Sequence, residues 1–267
     1  MLKFSANLGM LFGEVDFLDR FAAARHAGFS GVEYPFPYTY EVERLRDRLA
    51  AHELEQVLIN LPPGNWDLGE RGIACQPDRR AEFQDGVAQG LAYARALGCA
   101  QINCLAGAAP GIAPELAFQT LVDNLQFAAR ELGAAGIRLL MEPINTRDMP
   151  GFFLCRSDQA LAVWEAVGSP NLWIQYDIYH MQVMQGRGDG SDLAQSIDKC
   201  WDRIAHFQVA DNPGRHEPGS GEIAYPFLLR QIERLGSVRG GGAGWIGCEY
   251  RPRTTTLAGL SWLDPFR

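Results

Sequence analysis

Residues 138–145 read RLLMEPIN, and how this stretch ends decides the fold. Leu139, Leu140 and Met141 form an apolar run that finishes on Glu142, just where the chain turns. A short run of this kind reads as a strand buried on both faces, as in a parallel sheet. The arrangement returns in residues 245–252, WIGCEYRP, where Trp245 to Cys248 end on Glu249.

Further strand candidates occupy 3–9, 31–36, 56–62, 100–106, 172–178 and 204–210, alongside 138–144 and 245–250. Amphipathic stretches lie between them. Residues 16–28 stop on Gly28, residues 78–98 stop on Gly98, and residues 114–136 open with Pro114 and close with Gly136. These are helix start and stop signals. A helix over 157–168 is expected to use Ser157 as its N-cap, with Ala160, Leu161 and Trp164 on one face. Eight strands, each followed by a helix or room for one, predict an α/β fold of the (β/α)8 TIM-barrel kind. The competing doubly wound sheet, in its dinucleotide-binding form, needs a G-x-G-x-x-G after the first strand, and none is present. No composition shift or linker breaks the chain, so residues 1–267 are expected to form one domain.

Composition narrows the function. The 24 Lys and Arg against 32 Asp and Glu give a net charge of −8, with no basic run to bind phosphates, which argues against nucleic acid and anionic membranes. No run of roughly 18 apolar residues exists to span a bilayer. The start of the chain, MLKFSANLGMLF, lacks the pattern of a signal peptide. Cys75, Cys99, Cys104, Cys155, Cys200 and Cys248 contain no C-x-x-C pair, so reduced and mostly buried thiols in a cytoplasmic protein are expected. Trp262 and Phe266 near the end of the chain are candidates for a homo-oligomer contact.

On a barrel, Glu142 ends the fifth strand, Asp177 ends the sixth, Gln208 lies late in the seventh and Glu249 ends the eighth. Four consecutive strands thus bring these side chains around one mouth. Three carboxylates and an amide oxygen form a hard donor set that suits Mg2+ or Mn2+ better than Zn2+. A lone strand-end glutamate is usually solvated or paired with arginine. Gathered carboxylates, by contrast, repel one another unless a cation or protons neutralise them. His180, three residues after Asp177, would serve as packing in isolation; beside the acids it can donate a hydrogen bond to a substrate oxygen. His206 alternates in phase with Gln208 and is expected inside the barrel as support. His26 and His52 sit in helical segments and have no assigned role. Arg215, in the long loop after the seventh strand, could hook a substrate carboxylate. Glu222 could complete that loop, and Trp66 could wall the pocket from the loop after the third strand.

Two glutamates at one divalent cation suit proton transfer next to a carbonyl, with one carboxylate removing a proton and the other returning it. That is aldose–ketose isomerisation or epimerisation chemistry.

The segments MEPIN (141–145), YDIYHMQ (176–182), HFQVADNPGRHEPGSGEI (206–223) and GCEYRPRTTTLAGLSWL (247–263) resemble the hydroxypyruvate isomerases of the xylose-isomerase-like TIM-barrel superfamily. The similarity extends to FSANLGMLF (4–12) and INLPPGNWDLGERG (59–72). The resemblance implies that Glu142 and Glu249 are paired catalytic glutamates and metal ligands, that Asp177 and Gln208 complete the ligand set, and that His180 and Arg215 contact substrate. Related ketose epimerases have histidine where Gln208 stands, a departure that leans away from epimerase chemistry. The implied reaction interconverts hydroxypyruvate and tartronate semialdehyde, with 2-oxo-tetronate as a four-carbon variant. A ketose 3-epimerase or inosose dehydratase, an endonuclease-IV-like phosphodiesterase, and a non-catalytic metal or sugar-acid binding protein are the competing readings.

Overall fold

The computed structural model describes residues 2–186, 191–239 and 244–266. Eight parallel strands follow one another around a closed barrel: β1 (Lys3–Asn7), β2 (Gly31–Glu33), β3 (Glu55–Asn60), β4 (Gln101–Cys104), β5 (Arg138–Met141), β6 (Leu172–Asp177), β7 (Ile204–Val209) and β8 (Trp245–Cys248). β8 pairs back onto β1, with Lys3 beside Trp245 and Ala6 beside Cys248. The chain is a (β/α)8 TIM barrel, as its strand rhythm predicts. Observed strands stop short of the expected spans at their carboxyl ends, because residues there turn outward into the loops of the mouth. Glu142 and Glu249 therefore sit one residue past their last paired neighbours.

The outer layer comprises α1 (Arg20–His26), α2 (Val42–Ala51), α3 (Arg80–Leu97), α4 (Pro114–Gly133), α5 (Ser157–Val167), α6 (Ile178–Gln185), α7 (Ser191–Cys200) and α8 (Tyr225–Arg239). α4 buries Leu121, Leu125, Ala128 and Leu132 against the sheet, which sets its orientation. Each buried leucine contributes about 1.5–3 kcal/mol relative to exposure. Ser157 does not cap α5 as its position suggests: Arg156 occupies the cap, and the Ser157 hydroxyl donates to Gln185 Oε1 at 3.1 Å. A tertiary partner took the hydroxyl that a free helix end would have used. Trp262 and Phe266 pack within their own chain; Trp262 meets Phe4 edge-on at 5.6 Å.

The barrel interior differs from the apolar layers usual in this architecture. Its lower end is apolar, with Val57, Leu140 and Ala205 packed against Trp173 and Trp245. Above them lies a buried polar layer that spans the lumen. Glu33 accepts from Ser5 Oγ at 2.7 Å, Asn7 Nδ2 at 3.3 Å and Gln208 Nε2 at 2.8 Å. His206 Nε2 lies 2.9 Å from Glu33 Oε2, and Gln208 Oε1 accepts from Gln175 Nε2 at 2.6 Å. Burial alone would raise the Glu33 carboxyl, but its partners His206, Gln208 and Ser5 bring it below the usual carboxylate value. Gly247 makes room for this carboxylate: a Cβ there would overlap Glu33.

Candidate active site

The polar layer supports a cavity of about 420 Å³ at the carboxyl ends of the strands. Glu142, His180, Arg215 and Glu249 line it, together with Trp66, Arg71, Asn7 and Arg251. Both long loops contribute to its wall, as expected of loops on this face.

Each acidic residue arrives by a different route. Glu142, just past β5, is held by Asn103 of β4, whose Nδ2 donates to Oε2 at 2.8 Å. Asp177 ends β6 and also caps α6: its Oδ1 accepts from the backbone N–H of Tyr179 at 2.7 Å and of His180 at 3.1 Å. Capping consumes one oxygen of Asp177 and leaves Oδ2, fully buried, without a hydrogen-bond partner among the described residues. His180 enters on the first turn of α6, so the cap that starts the helix also aims the imidazole. Its Nε2 lies 3.7 Å from Glu142 Oε1 and 3.6 Å from Asp177 Oδ2.

Arg215 lies between the acids. Its backbone adopts a left-handed φ of 57°, held by the Arg251 N–H donating to its carbonyl at 2.8 Å. Its Nη2 donates to Glu249 Oε2 at 3.0 Å and lies 3.7 Å from Asp177 Oδ2, with the guanidinium 5.2 Å from the Tyr179 ring centre. Burial opposes the arginine's charge, but Glu249, Asp177 and Glu142 together hold it more firmly protonated.

The same crowding acts on the glutamates. Burial, then the charges of Glu249 and Asp177, push the Glu142 carboxyl well above the usual carboxylate range, against Arg215 and Asn103. Burial pushes Glu249 up to about 8, with Arg215 opposing and Asp177 and Glu33 adding to the rise. Burial drives His180 down to about 4, so the imidazole is neutral at pH 7.

Glu142, Asp177 and His180 each offer a ligand atom, all within 4.8 Å of one another, and this cluster could hold a metal ion. The unpartnered Asp177 Oδ2 is the kind of buried oxygen that a cation satisfies. Gln208 lies below, in the lumen network, with its amide on Glu33 and its oxygen facing Gln175. His206 lies deeper still, against Glu33 and 3.4 Å from Gln101. His26 and His52 lie at the outer helices, apart from the cavity lining. Glu222 closes the loop after β7, accepting from Asn212 and from Gln182 Nε2.

Glu33, Asn103 and Asn145 are among the participants that escaped the sequence reading. Glu33 ends the very short β2 and carries no local signal. Asn145 and Asn103 touch His180 and Glu142 directly, yet polar amides near strand ends are common. Asn145 does stand in the MEPIN segment, so its position was visible although its role was not.

Residues 21–266 match the family model described as xylose isomerase-like TIM barrel. Hydroxypyruvate isomerase of Escherichia coli (strain K12) is 53% identical over 268 residues, covering 100% of both chains. The chain belongs to the hydroxypyruvate isomerase family. Within that family, 2-oxo-tetronate isomerase of Cupriavidus necator is 45% identical, covering 100% of this chain and 99% of its own. A crystal structure described as AP endonuclease, family 2, from Brucella melitensis superimposes with a TM-score of 0.94 at 42% identity, covering 100% of each chain. The two curated relatives place this family member among isomerases.

Proposed function

We propose that the protein interconverts hydroxypyruvate and tartronate semialdehyde by proton transfer, with the four-carbon 2-oxo-tetronate as the alternative substrate. The observation that carries this reading is the convergence of Glu142 and Glu249 on one small cavity beside the neutral imidazole of His180. One carboxylate removes a proton from the hydroxymethyl carbon, and the other returns a proton to the former carbonyl carbon. The hydroxyl proton moves between the two oxygens in the same sense, so no redox cofactor is consumed. His180 donates Nε2–H to a substrate oxygen, and Arg215 lies beside the same oxygens through its contact with Glu249.

Glu142, Asp177 and Glu249 would hold a divalent cation, with Gln208 offering the second lone pair of an oxygen already bonded to Gln175. A hard donor set favours Mg2+ or Mn2+. Such an ion, when bound, supplies positive charge where the enediolate develops negative charge. The catalytic unit is the whole chain, residues 1–267, because β1 and β8 close the barrel together. The six cysteines form no disulfide, which supports a cytoplasmic enzyme acting on a small molecule; no helix among the described residues is long and apolar enough to cross a membrane.

The test is proton NMR of hydroxypyruvate with the protein in D2O, with EDTA or with added Mg2+ or Mn2+. Tartronate semialdehyde carrying deuterium at the reacting carbon supports the proposal; neither product nor exchange rejects it.

The Brucella melitensis relative favours one second reading, cleavage at abasic sites. The net charge of −8 and the single histidine of the metal-capable cluster weigh against it. An abasic duplex left intact by the Mn2+-loaded protein excludes it.

A further inference from the structure

We infer that Arg71, rather than Arg215, grips the carboxylate of the substrate. The inference rests on the oxo-acid reading above. Three arginines line the cavity, Arg71, Arg215 and Arg251, and they differ in what already holds them. Arg215 keeps a buried Nε without a hydrogen-bond partner among the described residues, but its charge is already countered by Glu249 at 3.0 Å and Asp177 at 3.7 Å. Arg251 is exposed, and its side chain has no hydrogen bond or ion pair among the described residues, so binding would have to order it.

Arg71 is ordered and still has an open edge. Its Nη1 donates to the carbonyls of Trp66 at 2.9 Å and Glu70 at 2.8 Å. Its guanidinium carbon lies 3.9 Å from the centre of the Trp66 ring, and that ring packs on Phe36 at 4.9 Å. Carbonyls neutralise none of its charge, and the adjacent Glu70 is already taken by Arg79 Nη1 at 2.7 Å. Nε and Nη2 have no partner among the described residues. Those two N–H groups form one edge of the guanidinium fork, the edge that matches a carboxylate in bidentate fashion.

Electrostatics orients the substrate the same way. Acids crowd the side of Glu142, Asp177 and Glu249, where Arg215 is already engaged, whereas the wall built from the β3 loop carries the uncompensated positive charge of Arg71. An oxo-acid bound with its carboxylate on Arg71 presents its hydroxycarbonyl end to the glutamates. The site thereby selects acids over neutral sugars of the same size.

Binding of D-glycerate and of uncharged dihydroxyacetone, read by Trp fluorescence and calorimetry, tests this in wild type, R71M, R71K and R251M. D-glycerate binding should weaken at least tenfold in R71M and recover partly in R71K, with dihydroxyacetone affected less than threefold in each. The unfolding temperature of R71M should stay near that of wild type. The inference fails if R71M binds D-glycerate as tightly as wild type does, or loses both probes equally. It also fails if R251M alone loses D-glycerate, or if wild type itself has no preference for the acid. Wild-type turnover of hydroxypyruvate, measured separately, decides the oxo-acid reading without reference to Arg71.

Discussion

Asn145 fixes which nitrogen of His180 carries the proton. The Asn145 oxygen accepts the Asp148 backbone N–H at 2.7 Å, so its amide nitrogen must face His180, where it lies 2.6 Å from Nδ1. Nδ1 is therefore the acceptor, and in the neutral ring Nε2 bears the hydrogen. That hydrogen points toward Glu142 and Asp177.

Replacing Asn145 with Asp presents an acceptor to Nδ1 and reverses the tautomer. The expected loss in kcat is on the order of 10²-fold, with a smaller change in KM. Long-range 15N–1H spectra of His180 would show the proton moved to Nδ1. An unchanged tautomer together with full activity would refute the role.

Glu142→Gln and Glu249→Gln should each lower turnover by on the order of 10²–10⁴-fold. In cation-free protein at pH 8, Glu142→Gln should also raise the unfolding temperature, because it removes a carboxyl whose ionisation the folded cluster opposes while the Asn103 contact survives. Calorimetry beside steady-state kinetics checks both, and an active Glu142→Gln would sink the two-carboxylate mechanism.

Cation dependence should vary with pH. Folded Glu249 titrates at about 8 and folded Glu142 above the usual range, whereas an unfolded glutamate titrates near about 4.3. Between these values the folded state holds protons that the unfolded state has lost, so stability falls as pH rises toward 8. His180, at about 4 when folded, acts in the opposite sense only below its unfolded value of about 6.5. In EDTA the unfolding temperature should therefore drop from pH 6.5 to pH 8. Added Mn2+ should raise it more at pH 8, where fewer protons compete. An equal Mn2+ shift at both pH values would contradict the assignment.

Gly247→Ala should destabilise the barrel by about 1–3 kcal/mol, the usual range for overpacking a filled interior. The added methyl would press on the Glu33 carboxylate that anchors Gln208. Urea denaturation measures the loss; wild-type stability would mean that the lumen has slack.

The sequence by itself determined the barrel and the strand ends that carry Glu142, Asp177 and Glu249. Period and length of apolar runs are local properties, and in a parallel barrel a strand's carboxyl end has one destination. The long loops were legible for the same reason, and Trp66 reaches the cavity from one of them. Pairings between distant segments were not legible. Glu33 meets His206 across the lumen, Asn145 sets the proton of a histidine in another element, and Arg215 turns to Glu249. Those contacts depend on which side chains closure of the barrel brings within about 3 Å of one another, the distance at which hydrogen bonds form. No sequence spacing encodes that distance; only the tertiary structure decided it.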